Sequence, residues 1–339
     1  MNNSNCGIVG YNIYLPSEKI SAHELSEMWD IPENIIKDKI GIQEKVVGQK
    51  EDHTIQMTLK TAQKCLEDLH ICPEDVDLVI FNGEDYKEYL CYTVAIKIIK
   101  ELKLVNAWGF DIGYRCTSTV LAIKLAKDII NSDESVNTVL ICGGNSTAYL
   151  VNEKDKKASF MLPLGIGACS LIIKRDYRNN KILGSSFINN SKFADDILCK
   201  HNGTEDPRFP QSAKNLWKFT FPNYESMKKN LRLEATNYII DVAKKAVSKS
   251  NLLMSEIDYV AITHINRKAH QFILNELGIG LEKSVYLEDY GHVGHVDNVL
   301  SIDLALQSNK IKTGDRILMI ALGIGYSYGA VVIEWGAKD

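Results

Sequence analysis

No apolar run in this 339-residue chain reaches the ~20 residues that a membrane helix needs, so neither a membrane span nor a membrane partner is expected. The first ten residues carry no charged segment leading into an apolar stretch, so no signal peptide is expected and the cytoplasm is the expected compartment. Positive charge is not in excess: 39 Lys and Arg stand against 43 Asp and Glu, for a net charge of −4 and a pI of about 6.1. That balance gives no global electrostatic ground for binding nucleic acid. The eight cysteines (Cys6, Cys65, Cys72, Cys91, Cys116, Cys142, Cys169 and Cys199) form no CxxC or CxxxC pair, which argues against both a disulfide framework and a zinc site. There is no GxGxxG opening a helix. Gly165-Ile166-Gly167 and Gly323-Ile324-Gly325 both run into predicted strands, which excludes a dinucleotide or P-loop site.

What is present is a soluble globular composition, 45% hydrophobic and 24% charged, in a chain long enough for two domains. The pattern of the first half predicts helices over 54–69, 91–102 and 117–131, with strands over 77–82, 106–112, 136–142 and 167–174. The second half repeats the order: helices over 233–249, 266–277 and 298–309, and strands over 258–263, 284–288, 316–321 and 329–335. Alternating helices and strands imply two similar α/β halves with mostly parallel sheets. We therefore expect an N-terminal half at 1–175, an irregular insertion or linker at 176–232, holding Pro207, Pro210 and Pro222, and a C-terminal half at 233–339.

In such sheets the sites lie where strand ends meet helix starts. In the first half that place is Gly113-Tyr114-Arg115-Cys116, directly before the helix that begins near Thr117. A helix N-terminus favours an anion, and thiolate is the nucleophilic form of cysteine, so Cys116 is expected to have a lowered pKa. The equivalent loop of the second half is Tyr290-Gly291-His292-Val293-Gly294-His295-Val296-Asp297. His264 follows another strand end, and His264, His270, His292 and His295 all fall within one short segment. A catalytic cysteine needs such a partner. The duplication brings the two loops together at the centre of the molecule. The pair His292 and His295 lies in a glycine loop rather than on one helix face, with no cysteine near it, which argues against a metal.

Phe110-Asp111-Ile112-Gly113-Tyr114-Arg115-Cys116-Thr117-Ser118 resembles the nucleophile region of the β-ketoacyl-ACP synthase III family. Ile40-Gly41-Ile42-Gln43-Glu44-Lys45 resembles its TGIRER segment, Lys310-Ile311-Lys312-Thr313-Gly314-Asp315 its RIKPG turn, and Gly323-Ile324-Gly325-Tyr326-Ser327-Tyr328-Gly329 its GGGFTWG loop. These matches run through nearly the whole chain in order. The resemblance implies the duplicated, five-layered αβαβα thiolase fold, a homodimer, and an acyltransferase that needs no cofactor and takes acyl-CoA or an acyl carrier protein as donor.

Carried over by position, the resemblance makes Cys116 the acyl-accepting nucleophile and His264 the first catalytic histidine. Where the family has a catalytic asparagine in a GN pair, this chain has Gly291-His292. The loop reads GHxGxxD, a pattern resembling a divergent branch with acyltransferases of secondary metabolism. Asp297, five residues on, makes a Cys–His–Asp relay possible, with His292 as base. Such a base suits an alcohol or amine acceptor at least as well as carbon–carbon condensation. Gly83-Glu84-Asp85 follows a strand, and in the related hydroxymethylglutaryl-CoA synthases a catalytic glutamate follows the corresponding strand, so Glu84 is a further acid–base candidate beside its alternative as a helix cap. Lys39, Gly323, Gly325 and Ser327 take the places of substrate-binding residues. The family's CoA-stacking tryptophan falls near Ile35, which favours a carrier-protein donor. Lys228, Lys229, Arg232, Lys244 and Lys245 are candidates for meeting an acidic carrier, or are the wet face of a helix. Three other readings stay open here: a hydroxymethylglutaryl-CoA synthase-like condensing enzyme, a non-catalytic supporting subunit, and an acyl-binding module without turnover.

Overall fold

The computed structural model of the chain describes residues 6–200, Thr204 and 218–336. Pro207 and Pro210, and the side chain of Arg232, lie outside the described residues. In chain order the elements of the first half are β1 (Cys6–Tyr14), β2 (Lys19–Ser21), α1 (Ala22–Trp29), α2 (Glu33–Ile35), β3 (Glu44–Val46), α3 (Thr54–Asp68), β4 (Leu78–Phe81), α4 (Val94–Glu101), β5 (Trp108–Asp111), α5 (Ser118–Ser132), β6 (Thr138–Asn145) and β7 (Gly167–Arg175). The second half has β8 (Lys181–Asn189), α6 (Tyr224–Lys249), β9 (Tyr259–Ile262), α7 (Arg267–Glu276), α8 (Asp297–Gln307), β10 (Arg316–Gly323) and β11 (Ser327–Glu334).

The short buried strands set the layering. In β4, Leu78 and Ile80 turn to one face and Val79 and Phe81 to the other, because side chains alternate along a strand. In β9, Tyr259 and Ala261 take the first role and Val260 and Ile262 the second. The inner faces of both strands share one core with Val120, Ile123 and Ile130 of α5 and with Val299, Leu300 and Ile302 of α8. Each such side chain removed from water contributes about 1.5–3 kcal/mol. The outer faces are covered by α3 and α4 on one side and by α6 and α7 on the other. Five layers result, helix–sheet–helix–sheet–helix, as the duplication requires.

The strands run in the order β5-β4-β6-β7-β1-β8-β11-β10-β9. The first five belong to one half, and β9-β10-β11-β8 repeats four of them from the other edge. The sheets are mixed rather than mostly parallel. The pairs β4–β5, β4–β6 and β9–β10 are parallel, but β6–β7, β7–β1, β10–β11, β11–β8 and β1–β8 are antiparallel. The reason is connection length: β10 returns to β11 through Ile324–Tyr326 alone, which allows only an antiparallel neighbour.

Two further expectations are corrected. Residues 176–232 are not wholly irregular, because β8 lies within them and pairs along β11. Residues 284–288 are not a strand. Their polar groups go to side chains and loops instead: Val285 N donates to the Tyr259 hydroxyl, Ser284 Oγ donates to Val260 O, and Glu288 O accepts from Gln43 N at 2.7 Å. Among the described residues no helix is long and apolar enough to cross a membrane.

Candidate active site

The nucleophile turn is built by the residues around it. Asp111 closes β5 and accepts from Val94 N and Ala95 N, both at 2.9 Å, so it caps α4 and fixes the strand end. Arg115 adopts φ +54°, a left-handed conformation uncommon for a side chain of its size, directly before Cys116. Ser118 Oγ donates to Arg115 O, and the Thr117 and Ser327 hydroxyls meet at 3.0 Å. A Cβ on Gly323 would stand 2.8 Å from Ser327 Oγ, 3.0 Å from Arg115 Cβ and 3.2 Å from Cys116 N, so a side chain there would press on the nucleophile turn.

The facing loop is strapped to the first half. His292 N donates to Pro163 O and Gly165 N donates to His292 O, each at 2.8 Å. Gly291, at φ +73°, lies where a Cβ would be 2.4 Å from Pro163 O. The loop therefore delivers His292 to Cys116: Nε2 lies 3.3 Å from Sγ. On the other side of the ring, Nδ1 lies 2.6 Å from Asp297 Oδ2. Asp297 is buried at the start of α8 and held by backbone donors, Val293 N to Oδ1 and His264 N to Oδ2, both at 2.7 Å. One line of contacts thus runs from sulfur to imidazole to carboxylate.

The electrostatics correct one expectation. Burial pushes the Cys116 thiol up rather than down, and His292 only partly offsets this. The helix start does not outweigh loss of water. Burial opposes charge on His292 as well, but Asp297 and Cys116 outweigh it and hold the imidazole well above its ordinary value. The thiol therefore becomes a nucleophile by handing its proton to His292. Glu84 is 3% exposed, and burial raises its carboxyl to about 7 against the pull of Arg115. It is neither a cap nor a solvated turn. His264 is also buried. Burial lowers it to about 3, and neither ring nitrogen has a hydrogen-bond partner among the described residues. It stays neutral at physiological pH, with one N–H free to donate.

The remaining candidates fall elsewhere. Ser327 was expected at the substrate, but its hydroxyl is committed to Thr117 and to Tyr114 O. Gly325, at φ +107°, faces open space. Lys39 is exposed, with no ion-pair partner among the described residues. No group of three or more metal-ligating side chains comes together among the described residues. Sequence reading gave no role to Arg115, whose guanidinium meets Asp85 and lies 3.8 Å from Glu84. The available signal was a cation adjacent to the nucleophile together with two adjacent acids after a strand.

Two family models match, 3-oxoacyl-[acyl-carrier-protein (ACP)] synthase III over residues 110–191 and its C-terminal region over 247–335, together just over half of the chain. The chain belongs to the 3-oxoacyl-ACP synthase III family. The first match holds Cys116 and the second holds His264, His292 and Asp297. A curated β-ketoacyl-ACP synthase III of Clostridium acetobutylicum is 24% identical over 329 residues, covering 97% of this chain and 98% of its own. The crystal structure of the Aquifex aeolicus synthase III superposes with a TM-score of 0.83 at 22% identity, over 97% of this chain and 100% of that one. Xanthomonas campestris OleA, solved with lauric acid and lauroyl-CoA, gives 0.82 at 17%, over 98% and 100%. The synthase III neighbours share the duplicated thiolase fold, and membership makes this chain an acyltransferase that works on acyl thioesters.

Proposed function

We propose that this synthase III relative moves an acyl group from a thioester, through Cys116, to an acceptor whose proton the enzyme itself removes. The observation that carries the reading is the Cys116–His292–Asp297 line, at 3.3 and 2.6 Å, with Glu84 buried beside it. In the first step the Sγ proton passes to Nε2, sulfur attacks the donor carbonyl, and the donor's C–S bond breaks. The departing thiolate takes that proton from His292 and leaves as the thiol. In the second step the acceptor's proton goes to Glu84 or His292, the acceptor attacks the acyl-Cys carbonyl, and the Cys116 thiolate leaves. The neutral His264 donates to the carbonyl oxygen as charge develops there. Residues 1–175 supply Cys116 and Glu84, and residues 233–339 supply His264, His292 and Asp297. The reading needs no cofactor, since the thioester is already activated.

The acceptor is an alcohol, an amine or a carbon acid in preference to a malonyl unit. Decarboxylation needs two hydrogen-bond donors for the enolate, and in the acyl-enzyme His292 keeps its one proton on Nδ1, facing Asp297, so Nε2 can accept but not donate and His264 is left as the single donor. A second carboxylate would also meet Glu84. Glu84 itself favours a second reading, a hydroxymethylglutaryl-CoA synthase-like reaction in which a glutamate removes a carbon-bound proton. The donor is acyl-CoA or an acyl carrier protein. The names of the curated relatives favour the carrier, and the OleA complex favours CoA. We place the work in the cytoplasm, in secondary or fatty-acid metabolism. A homodimer would form at the free edge of β5, where Trp108, Ile96 and Val105 are exposed.

The test is discharge of preformed acyl-Cys116 by malonyl carrier, alcohols, amines and a second acyl thioester. Discharge by one of the last three without CO2 release supports the reading. Malonyl-dependent discharge with CO2 release sinks it.

A further inference from the structure

Arg115 sits where a bulky residue is costly. A left-handed backbone at a non-glycine residue costs on the order of 1–3 kcal/mol and persists where the surroundings enforce it. Glycine would remove that cost and leave the turn intact, so the side chain has work to do. Its guanidinium does not reach Cys116 by hydrogen bond. It meets two adjacent carboxyl groups through one nitrogen: Nη1 pairs with Asp85 Oδ2 and lies 3.8 Å from Glu84 Oε2. Asp85 is 64% exposed and Glu84 3%, so the pairing carries a cation from the surface to the edge of a dry carboxyl.

We infer that Arg115 is a positioning residue for Glu84: shared between the exposed Asp85 and the buried Glu84, its guanidinium fixes the Glu84 carboxyl beside the thiol and decides the charge that carboxyl carries when the acceptor arrives. The inference rests on the reading of Glu84 as the acceptor's base. The charged and titratable groups facing Glu84 come from three segments. Asp85 lies on its own loop, Arg115 and Cys116 on the nucleophile turn, and His292 on the loop of the second half. Burial drives Glu84 toward the neutral acid, and Arg115 is the largest opposing influence. With the cation present the carboxyl changes charge near neutrality, where one group can both take and return a proton. Without it, Glu84 ionises only at higher pH and is more often the acid when the acceptor arrives.

The experiment is single-turnover discharge of preformed acyl-Cys116 against pH, in wild type, Arg115→Met, Arg115→Lys, Asp85→Asn and Glu84→Gln. In Arg115→Met the acid limb should move up by about one pH unit, since an opposite charge at this range is worth at least that. Arg115→Lys should bring it most of the way back, which a merely structural role would not do. Asp85→Asn should move it down, because it removes a repelling charge and frees the guanidinium for Glu84. This variant leaves the strained turn untouched and serves if Arg115→Met does not fold. A limb that stays put in Arg115→Met or in Asp85→Asn, while Glu84→Gln abolishes it, overturns the inference about Arg115 alone. A limb and rate unchanged in Glu84→Gln overturns the reading of Glu84 as base.

Discussion

Replacing Asp297 by asparagine tests the relay most sharply, because it changes little volume and one charge. Oδ1 and Oδ2 of Asp297 each accept a backbone N–H, from Val293 and His264, and Oδ2 also faces His292 Nδ1. Asparagine has one acceptor oxygen. If its NH2 points at Nδ1, Nδ1 must accept, so Nε2 carries the proton and cannot take one from Cys116. If its oxygen points there, the NH2 confronts the Val293 N–H, and a buried donor is left unpaired at a cost of about 1–3 kcal/mol. The asparagine also removes the negative charge that holds His292 well above its ordinary value. Burial then pulls the imidazole down with only Cys116 to oppose it, while it pushes the thiol up. Loss of the correct tautomer in a relay of this kind costs about 10⁴ in rate. That is about 5.5 kcal/mol of transition-state stabilisation. The assay is the pre-steady-state rate of Cys116 acylation, with iodoacetamide alkylation of Cys116 against pH as the second readout. The alkylation midpoint should move to higher pH in Asp297→Asn. A folded variant with wild-type acylation rate and an unmoved alkylation profile would refute the relay.

Three other outcomes follow from the same geometry. Gly291→Ala should lose several kcal/mol of stability or misplace His292, because φ is +73° and the new methyl would meet Pro163 O at 2.4 Å; urea unfolding and acylation rate read the two effects separately. Acid should destabilise the fold from about pH 6.5 downward, because His264, His270 and His295 are lowered to about 3, 4 and 4 by burial while their unfolded forms bind protons near 6.5. Each contributes stability that is present above 6.5 and lost as pH falls toward its folded value, up to about 1.4 kcal/mol per pH unit. Glu84, raised to about 7, opposes this by one proton between its unfolded 4.5 and 7, so proton uptake on unfolding at pH 5.5 should stay below three per chain. Trp108→Glu should convert a homodimer to monomer in light scattering if β5 is the contact edge, and an unchanged mass would place the contact elsewhere.

Much of this site is legible in the sequence, because its signals are local. Cys116 precedes a helix rich in small residues, and His292 and Asp297 stand five apart in a glycine loop that occupies the same place in the repeat. The layering is legible from four-residue apolar runs such as Leu78–Phe81. The strands β1 and β8 are not. Only the first three residues of β1 are buried, and it carries two glycines and a register shift; β8 has Gly184-Ser185-Ser186 at its middle. Such strands form because neighbours supply the pairing, and period alone does not show it. The opposite error came at Ser284–Glu288, where β-favouring residues form no ladder because Tyr259, Val260 and Gln43 take their hydrogen bonds. The direction of the Cys116 shift was hidden for a third reason: the helix start is visible in sequence, but the burial that overrides it is a property of the assembled layers. Arg115 and Glu84 stand 31 positions apart, and only the strand order β5-β4 makes them neighbours.

The central claim is that Cys116 carries the acyl group. Intact-protein mass spectrometry after mixing the enzyme with a panel of acyl-CoAs and acyl carrier proteins tests it directly, with Cys116→Ala as control. The account predicts a gain of one acyl mass in the wild type and none in the variant. An acyl adduct that persists in Cys116→Ala, or a folded wild type that gains no mass from any donor, would contradict it and move the weight to a supporting subunit without chemistry of its own.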